Sequence, residues 1–346
     1  MDVVVFGAIA ASLVAGTVVI WPTVQMTIGL APHIYANTRC SAKLAQLLPD
    51  TFTDNLLQSV SYEESLSLLE DSYYRIYVEK SRDFVKLSSM LNQDLYSTYQ
   101  WLETIVPENM VPIIKALRIK FEIGDIKELF NNLKNKITEH KLPHVQDENL
   151  KLKLENTTDF ASLMASFEGT EYSNIFANKN LTQLDSINNE LDKFYFEKVF
   201  DVISASEDEK AAVAFKEYFS YLVDLINLKL TLRRIDKKSS LDLLDHGRIS
   251  KSSLEDIEDL NAFENLLSQF GYTENIVEYT PFEIENSVYK YMKKASGLIN
   301  SKHSLKSGSV VRYIMLKEIE IRNVNIILKL KSDNFNKEEI QKVLVL

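Results

Sequence analysis

Val223-Asp224-Leu225-Ile226-Asn227-Leu228-Lys229-Leu230-Thr231-Leu232-Arg233 reads as an apolar helix carrying an acid and, three residues on, an amide. Three residues is almost one turn, so both polar groups share one face of an otherwise oily cylinder. Buried there they need partners, and Arg118, Arg233 and Arg234 are the candidates. The same order returns in Ile319-Glu320-Ile321-Arg322-Asn323-Val324-Asn325-Ile326-Ile327-Leu328-Lys329, with Glu320 and Asn323 as the pair. Asn109-Met110-Val111-Pro112-Ile113-Ile114-Lys115-Ala116-Leu117-Arg118 reads as a worn third copy in which Pro112 replaces the amide. Three related helices suggest one unit used three times.

A second signal has a similar period. Tyr62, Ser65, Leu69, Ser72 and Tyr74 stand at the offsets of Phe160, Leu163, Phe167, Thr170 and Tyr172, and Phe263, Leu266, Phe270, Thr273 and Asn275 fit the same frame. Apolar residues three and four apart make one helix face. Ser61, followed three residues later by Glu64, has the capping-box pattern. Long amphipathic helices are expected at Leu184 to Ile203, Phe282 to Leu298 and Tyr73 to Leu91, and no strand alternation is evident. The expected architecture is all-α, with three similar helical units over 32–140, 141–240 and 241–346 behind an N-terminal segment, 1–31.

Composition supports helices. Glycine and proline number only 9 and 7, which argues against all-β and Gly-rich α/β folds. A net charge of −10 argues against a general nucleic-acid role. The basic stretch from Asn286 to Lys331 and the acidic one from Asp242 to Glu264 read as solvated faces or as faces that steer docking. The single cysteine, Cys40, excludes an internal disulfide framework and a cysteine-based zinc site, and it reads as a small packing residue. Neither of the glycine-rich phosphate-binding motifs occurs. Pro143 lies between His140 and His144 and breaks the helix that would align them on a metal, while Asp245-His246-Gly247 reads as a helix closed at its glycine. No catalytic residue and no cofactor is expected. A reactive site would rarely be kept in three copies, so the acid–amide pairs read as pins between helices.

From Val3 to Ile20 no residue is charged. About 20 residues at ~1.5 Å each span the ~30 Å hydrocarbon core of a bilayer. The only early charge is Asp2, so the basic start of a signal peptide is missing and a single transmembrane anchor is expected. Arg39 and Lys43 follow the run, which by the positive-inside rule puts the bulk of the chain in the cytoplasm. Gly7, Ala11 and Ala15 recur at four-residue spacing, which reads either as a face that lets helices approach closely in lipid or as a short anchor simply rich in alanine.

Several motifs together resemble the C subunit of V/A-type ATP synthases, related to the d subunit of eukaryotic V-ATPases. Tyr35-Ala36-Asn37-Thr38-Arg39 with Leu47-Leu48 is similar to the family's opening Tyr-x-x-x-Arg helix, and Leu68 to Tyr74 to its Leu-Leu-x-x-Thr-x-Tyr turn. Asp224 to Lys229 with Arg233, and Lys317 to Val324, resemble its two Asn-containing helices, giving coverage from about Tyr35 to Leu344. The resemblance implies three helical units around a pseudo-threefold axis, forming a funnel. It implies a non-catalytic rotor subunit that caps the proteolipid (c/K) ring in the bilayer of the cell membrane. That subunit receives the D and F subunits of the central stalk and is coupled through them to the A/B head. A membrane-anchored helical adaptor unrelated to ATPases is the alternative.

Overall fold

The computed structural model describes residues 27–137, 139–176, 184–237, 242–273, 276 and 279–345. All regular structure among them is helical. No helix of the described residues is long and apolar enough to cross a membrane. The expected anchor and its small face, Gly7, Ala11 and Ala15, lie outside the described residues.

Helix α1 spans 27–44. It is followed by α2 (Asp50–Gln58), α3 (Tyr62–Leu69), α4 (Arg75–Val78), α5 (Phe84–Ile105) and α6 (Val111–Lys134). Next come α7 (Glu148–Glu155), α8 (Phe160–Phe167), α9 (Ser173–Phe176), α10 (Leu184–Ser204) and α11 (Glu209–Lys237). The chain ends with α12 (Lys251–Glu255), α13 (Leu260–Phe270), α14 (Pro281–Lys302), α15 (Gly308–Ser332) and α16 (Lys337–Gln341).

Local chemistry sets the helix starts. Ser61, Asp159 and Asp259 cap α3, α8 and α13 by accepting the N–H three residues on, and each lies thirteen residues before a buried tyrosine: Tyr74, Tyr172 and Tyr272. Caps correct two expectations. With them aligned, Leu260, Phe263 and Leu267 take the places of Phe160, Leu163 and Phe167, so the frame Phe263–Leu266–Phe270–Thr273–Asn275 is one turn out of step. The expected helix Tyr73 to Leu91 divides into α4 and α5, because Asp83 caps a fresh start at Phe84 by accepting from Lys86 N at 3.0 Å. Thr280 and Glu283 form a full capping box before α14, with Pro281 at its first position.

The six long helices form three antiparallel hairpins, α5–α6, α10–α11 and α14–α15. Each hairpin's second helix packs on the first helix of the next: α6 on α10, α11 on α14, and α15 back on α5. The circuit therefore closes, and α11 also touches α15 across its interior. One continuous apolar cluster fills it, including the fully buried rings of Tyr99, Tyr218, Phe215 and Phe219.

Candidate functional site

Polar pins join the hairpins. On α11, Asp224 accepts the Tyr272 hydroxyl at 2.8 Å and the Ile249 N–H at 3.0 Å. Asn227, one turn on, grips Leu244 at both ends, accepting its N–H at 2.8 Å and donating to its carbonyl at 2.9 Å. Both side chains are fully buried, so these bonds replace the water each lost on folding. On α15, Glu320 accepts the Tyr74 hydroxyl and the Leu48 N–H, and Asn323 exchanges bonds of 2.8 and 3.1 Å with the backbone of Val345.

The corresponding pair on α6 is Glu122 and Asp125. Glu122 accepts the Tyr172 hydroxyl at 2.7 Å and the Gln146 N–H at 3.4 Å, and Asp125 accepts the His144 N–H at 2.7 Å. This corrects the assignment to Asn109–Arg118. Pro112 sits in the first turn of α6, where its missing N–H costs nothing. The arginine partners are corrected as well. Arg118 pairs with Glu103 at 2.9 Å, Arg234 donates to the carbonyls of Leu254, Glu255 and Ile257, and Arg233 is exposed. Asp224's partners come instead from the segment that follows α11. Gly247 belongs to that segment and closes no helix: a Cβ there would meet Asp224 Oδ1 at 2.6 Å, so its glycine lets the loop approach the carboxylate.

Burial pushes the Asp224 carboxyl up to about 6, against the opposing pull of the Ile249 N–H, the Tyr272 hydroxyl and Arg248. The folded value lies above the ordinary 3.8, so folding favours the protonated form. That stabilisation is complete below about pH 4 and is lost as pH rises through about 6. Two units correspond to ~3 kcal/mol. Urea midpoints should show wild type losing roughly this much between about pH 4 and 7 relative to Asp224→Asn, whose side chain does not ionise.

A perturbed acid can mark a reactive centre. Here both oxygens of Asp224 are occupied and the side chain is fully buried, so the group acts as a pin.

A second polar cluster lies inside the circuit. Glu318 accepts from Tyr99 of α5, Lys120 of α6 and Tyr218 of α11, the last at 2.8 Å, and Lys120 also donates to the Tyr99 hydroxyl at 2.9 Å. Glu318 and Glu320 are two residues apart, about 200° around the helix, so one faces the interior and the other the α5 joint. Burial and the Glu318 charge hold both tyrosine hydroxyls well above their ordinary range. Glu318 falls inside the Lys317–Val324 motif, but nothing in that spacing shows its partners, which lie 100 to 219 residues away.

Helix α1 is fastened to two hairpin turns. His33 Nε2 and Lys306 Nζ meet Asp208 at 3.1 and 2.8 Å, and Asn37 donates to the carbonyls of Ser304 and Lys306 at 2.8 and 3.1 Å. Cys40 packs in the core, its thiol pushed up to about 12 by burial. Tyr35 and Arg39, expected as family positions, are exposed on the same helix.

The molecule is thus defined as a pinned helical scaffold. Residues 36–343 match the ATP synthase (C/AC39) subunit family, and the chain belongs to that family. Its relatives include the A-type ATP synthase C subunit of Methanocaldococcus jannaschii, 28% identical over an alignment covering 95% of this chain and 90% of the relative. The A-type ATP synthase C subunits of Pyrococcus abyssi and Methanosphaera stadtmanae are 26% and 24% identical, covering 94% and 96% of this chain and 94% and 92% of theirs. Membership in an ATP synthase family does not accord with an adaptor unrelated to ATPases.

Proposed function

We propose that this chain is a non-catalytic central-rotor subunit of a V/A-type ATP synthase, joining the central stalk to the membrane proteolipid ring. In this reading, 32–140, 141–240 and 241–346 are equivalent units around a pseudo-threefold axis that forms a funnel. The observation that carries it is the closed circuit of hairpins with a tyrosine–acid pin at each joint. The pins are Tyr172–Glu122, Tyr272–Asp224 and Tyr74–Glu320. A part that passes torque between the D and F stalk subunits and the ring needs stiffness and broad polar surfaces, and needs no reactive group. The uncharged run from Val3 to Ile20 serves as a single anchor in the cell membrane, with Gly7, Ala11 and Ala15 as its close-packing face and the bulk of the chain cytoplasmic. Tyr35, Arg39, Asp224, Asn227, Arg233, Glu320 and Asn323 are the family's framework positions.

Affinity purification of the tagged chain from mild-detergent membranes is expected to bring down the proteolipid and the D and F subunits. Membranes lacking the chain are expected to lose ATP synthesis driven by an ion gradient. Retained coupling in those membranes would refute the proposal.

A further inference from the structure

Between α1, α5 and α15 lies a cavity of about 280 Å³ whose lining includes Arg39, Lys43, Ser97, Trp101, Asp94 and Lys317. Its inner charges are already matched to one another. Lys317 lies 3.0 Å from Asp94 and 3.2 Å from Glu320, and donates to the Tyr74 hydroxyl at 2.8 Å. Asp94 also accepts the Tyr73 and Tyr77 hydroxyls at 3.2 and 2.8 Å. Arg39 and Lys43 add two cations at the mouth, four residues apart and therefore on one face of α1. The Lys43 ammonium lies 5.9 Å from the ring centroids of both Tyr73 and Trp101. The lining carries Arg39, Lys43 and Lys317 against Asp94, and Glu320, beside Lys317 but outside the lining, takes up a further charge, so the five groups leave one positive in a chain whose net charge is −10.

We propose that the Arg39–Lys43 cavity docks a carboxylate side chain presented by an acidic segment of a protein partner. The surplus of one charge selects the ligand class. A carboxylate is a monoanion and neutralises it. A phosphate dianion leaves one excess negative charge beside Asp94 and has no methylene stem to lie on the Trp101 and Tyr73 rings. The planar Arg39 fork suits a carboxylate, and the Trp101 and Tyr73 rings offer an apolar floor for its methylene stem. The site stands apart from the rotor reading, because it depends on the cavity's chemistry and not on which complex the chain joins.

Trp21 and Trp101 are the chain's two tryptophans, so full-length Trp21→Phe protein in detergent carries Trp101 as its sole reporter. Hexaglutamate, titrated at constant ionic strength, is expected to produce a saturable change in Trp101 emission. Arg39→Gln and Lys43→Gln, both outside the buried core, should each weaken binding about tenfold, and inorganic phosphate should produce no saturable change. A response to phosphate equal to that of the peptide would overturn the proposal. A peptide response that survives both substitutions, or no response up to millimolar peptide, would do the same.

Discussion

Glu318→Ala is expected to cost about 3 kcal/mol, the low end of the range found when one partner of a buried ion pair is removed, because Glu318 keeps 11% and Lys120 27% exposure. Glu318 accepts from three donors: the Tyr99 and Tyr218 hydroxyls and the Lys120 ammonium. Taking it away strands two buried tyrosine hydroxyls and leaves a half-buried cation beside them, its side chain 27% exposed. Glu318→Gln keeps the shape and one carbonyl acceptor but loses the charge, and should fall between Ala and wild type. The double variant Glu318→Leu with Lys120→Met removes both charges together and should recover much of the loss, since apolar replacement of a whole buried pair is often near neutral. Urea midpoints of the wild type and the three variants measure each step. A cost below about 1 kcal/mol for Glu318→Ala would mean that the pair behaves as a screened surface contact.

The same cluster bears on how force crosses the molecule. Glu318 joins α15 to α5, α6 and α11, so helices from all three hairpins meet at one carboxylate. The tyrosine–acid pins then fix each hairpin to the next at its edge. Relative rotation of two hairpins breaks buried charge-assisted bonds at both places, which are stronger than neutral ones. A scaffold built this way resists shear, as the proposed rotor function requires.

The helical class and the two later acid–amide pairs are legible in the sequence because apolar periodicity and residue type coincide at Asp224–Asn227 and Glu320–Asn323. The first pair escapes a reading by type because chemistry departs from type there: Glu122 and Asp125 perform with two acids what an acid and an amide do elsewhere. Pattern matching falls on Pro112 instead, which lies in a similarly apolar run. The third short helix reads one turn late because Phe263, Leu266 and Phe270 form as regular a face as Leu260, Phe263 and Leu267. Only the cap at Asp259 separates the two registers. The partners of Asp224 are out of reach for a different reason. They are a backbone N–H 25 residues away, on a loop whose Gly247 leaves room for the carboxylate, and a tyrosine 48 residues away, after α13. Local spacing carries no record of such contacts.

Stopping the chain after Val343 is expected to cost about 5 kcal/mol, because Leu344 and Val345 are fully buried and Val345 closes the α15 joint. At the α11 joint, Asn227 is gripped by Leu244, seventeen residues further on, and the chain then runs on to α12. The α15 joint differs in where its acid finds a backbone donor. Leu48, 272 residues earlier, donates to the acid Glu320, and Val345, 22 residues on, closes the amide Asn323. Truncation removes the buried side chains of Leu344 and Val345, worth ~1.5–3 kcal/mol each. It also strands the buried Asn323 amide for a further ~1–3 kcal/mol. Against a typical stability of about 5–15 kcal/mol this is a large fraction. The loss should also be local: hydrogen exchange should accelerate first in α2, α5, α15 and α16, with the α6–α10 and α11–α14 joints protected. Uniform acceleration across all three joints would instead mean that the circuit opens as a single cooperative unit, with no weak seam between its ends.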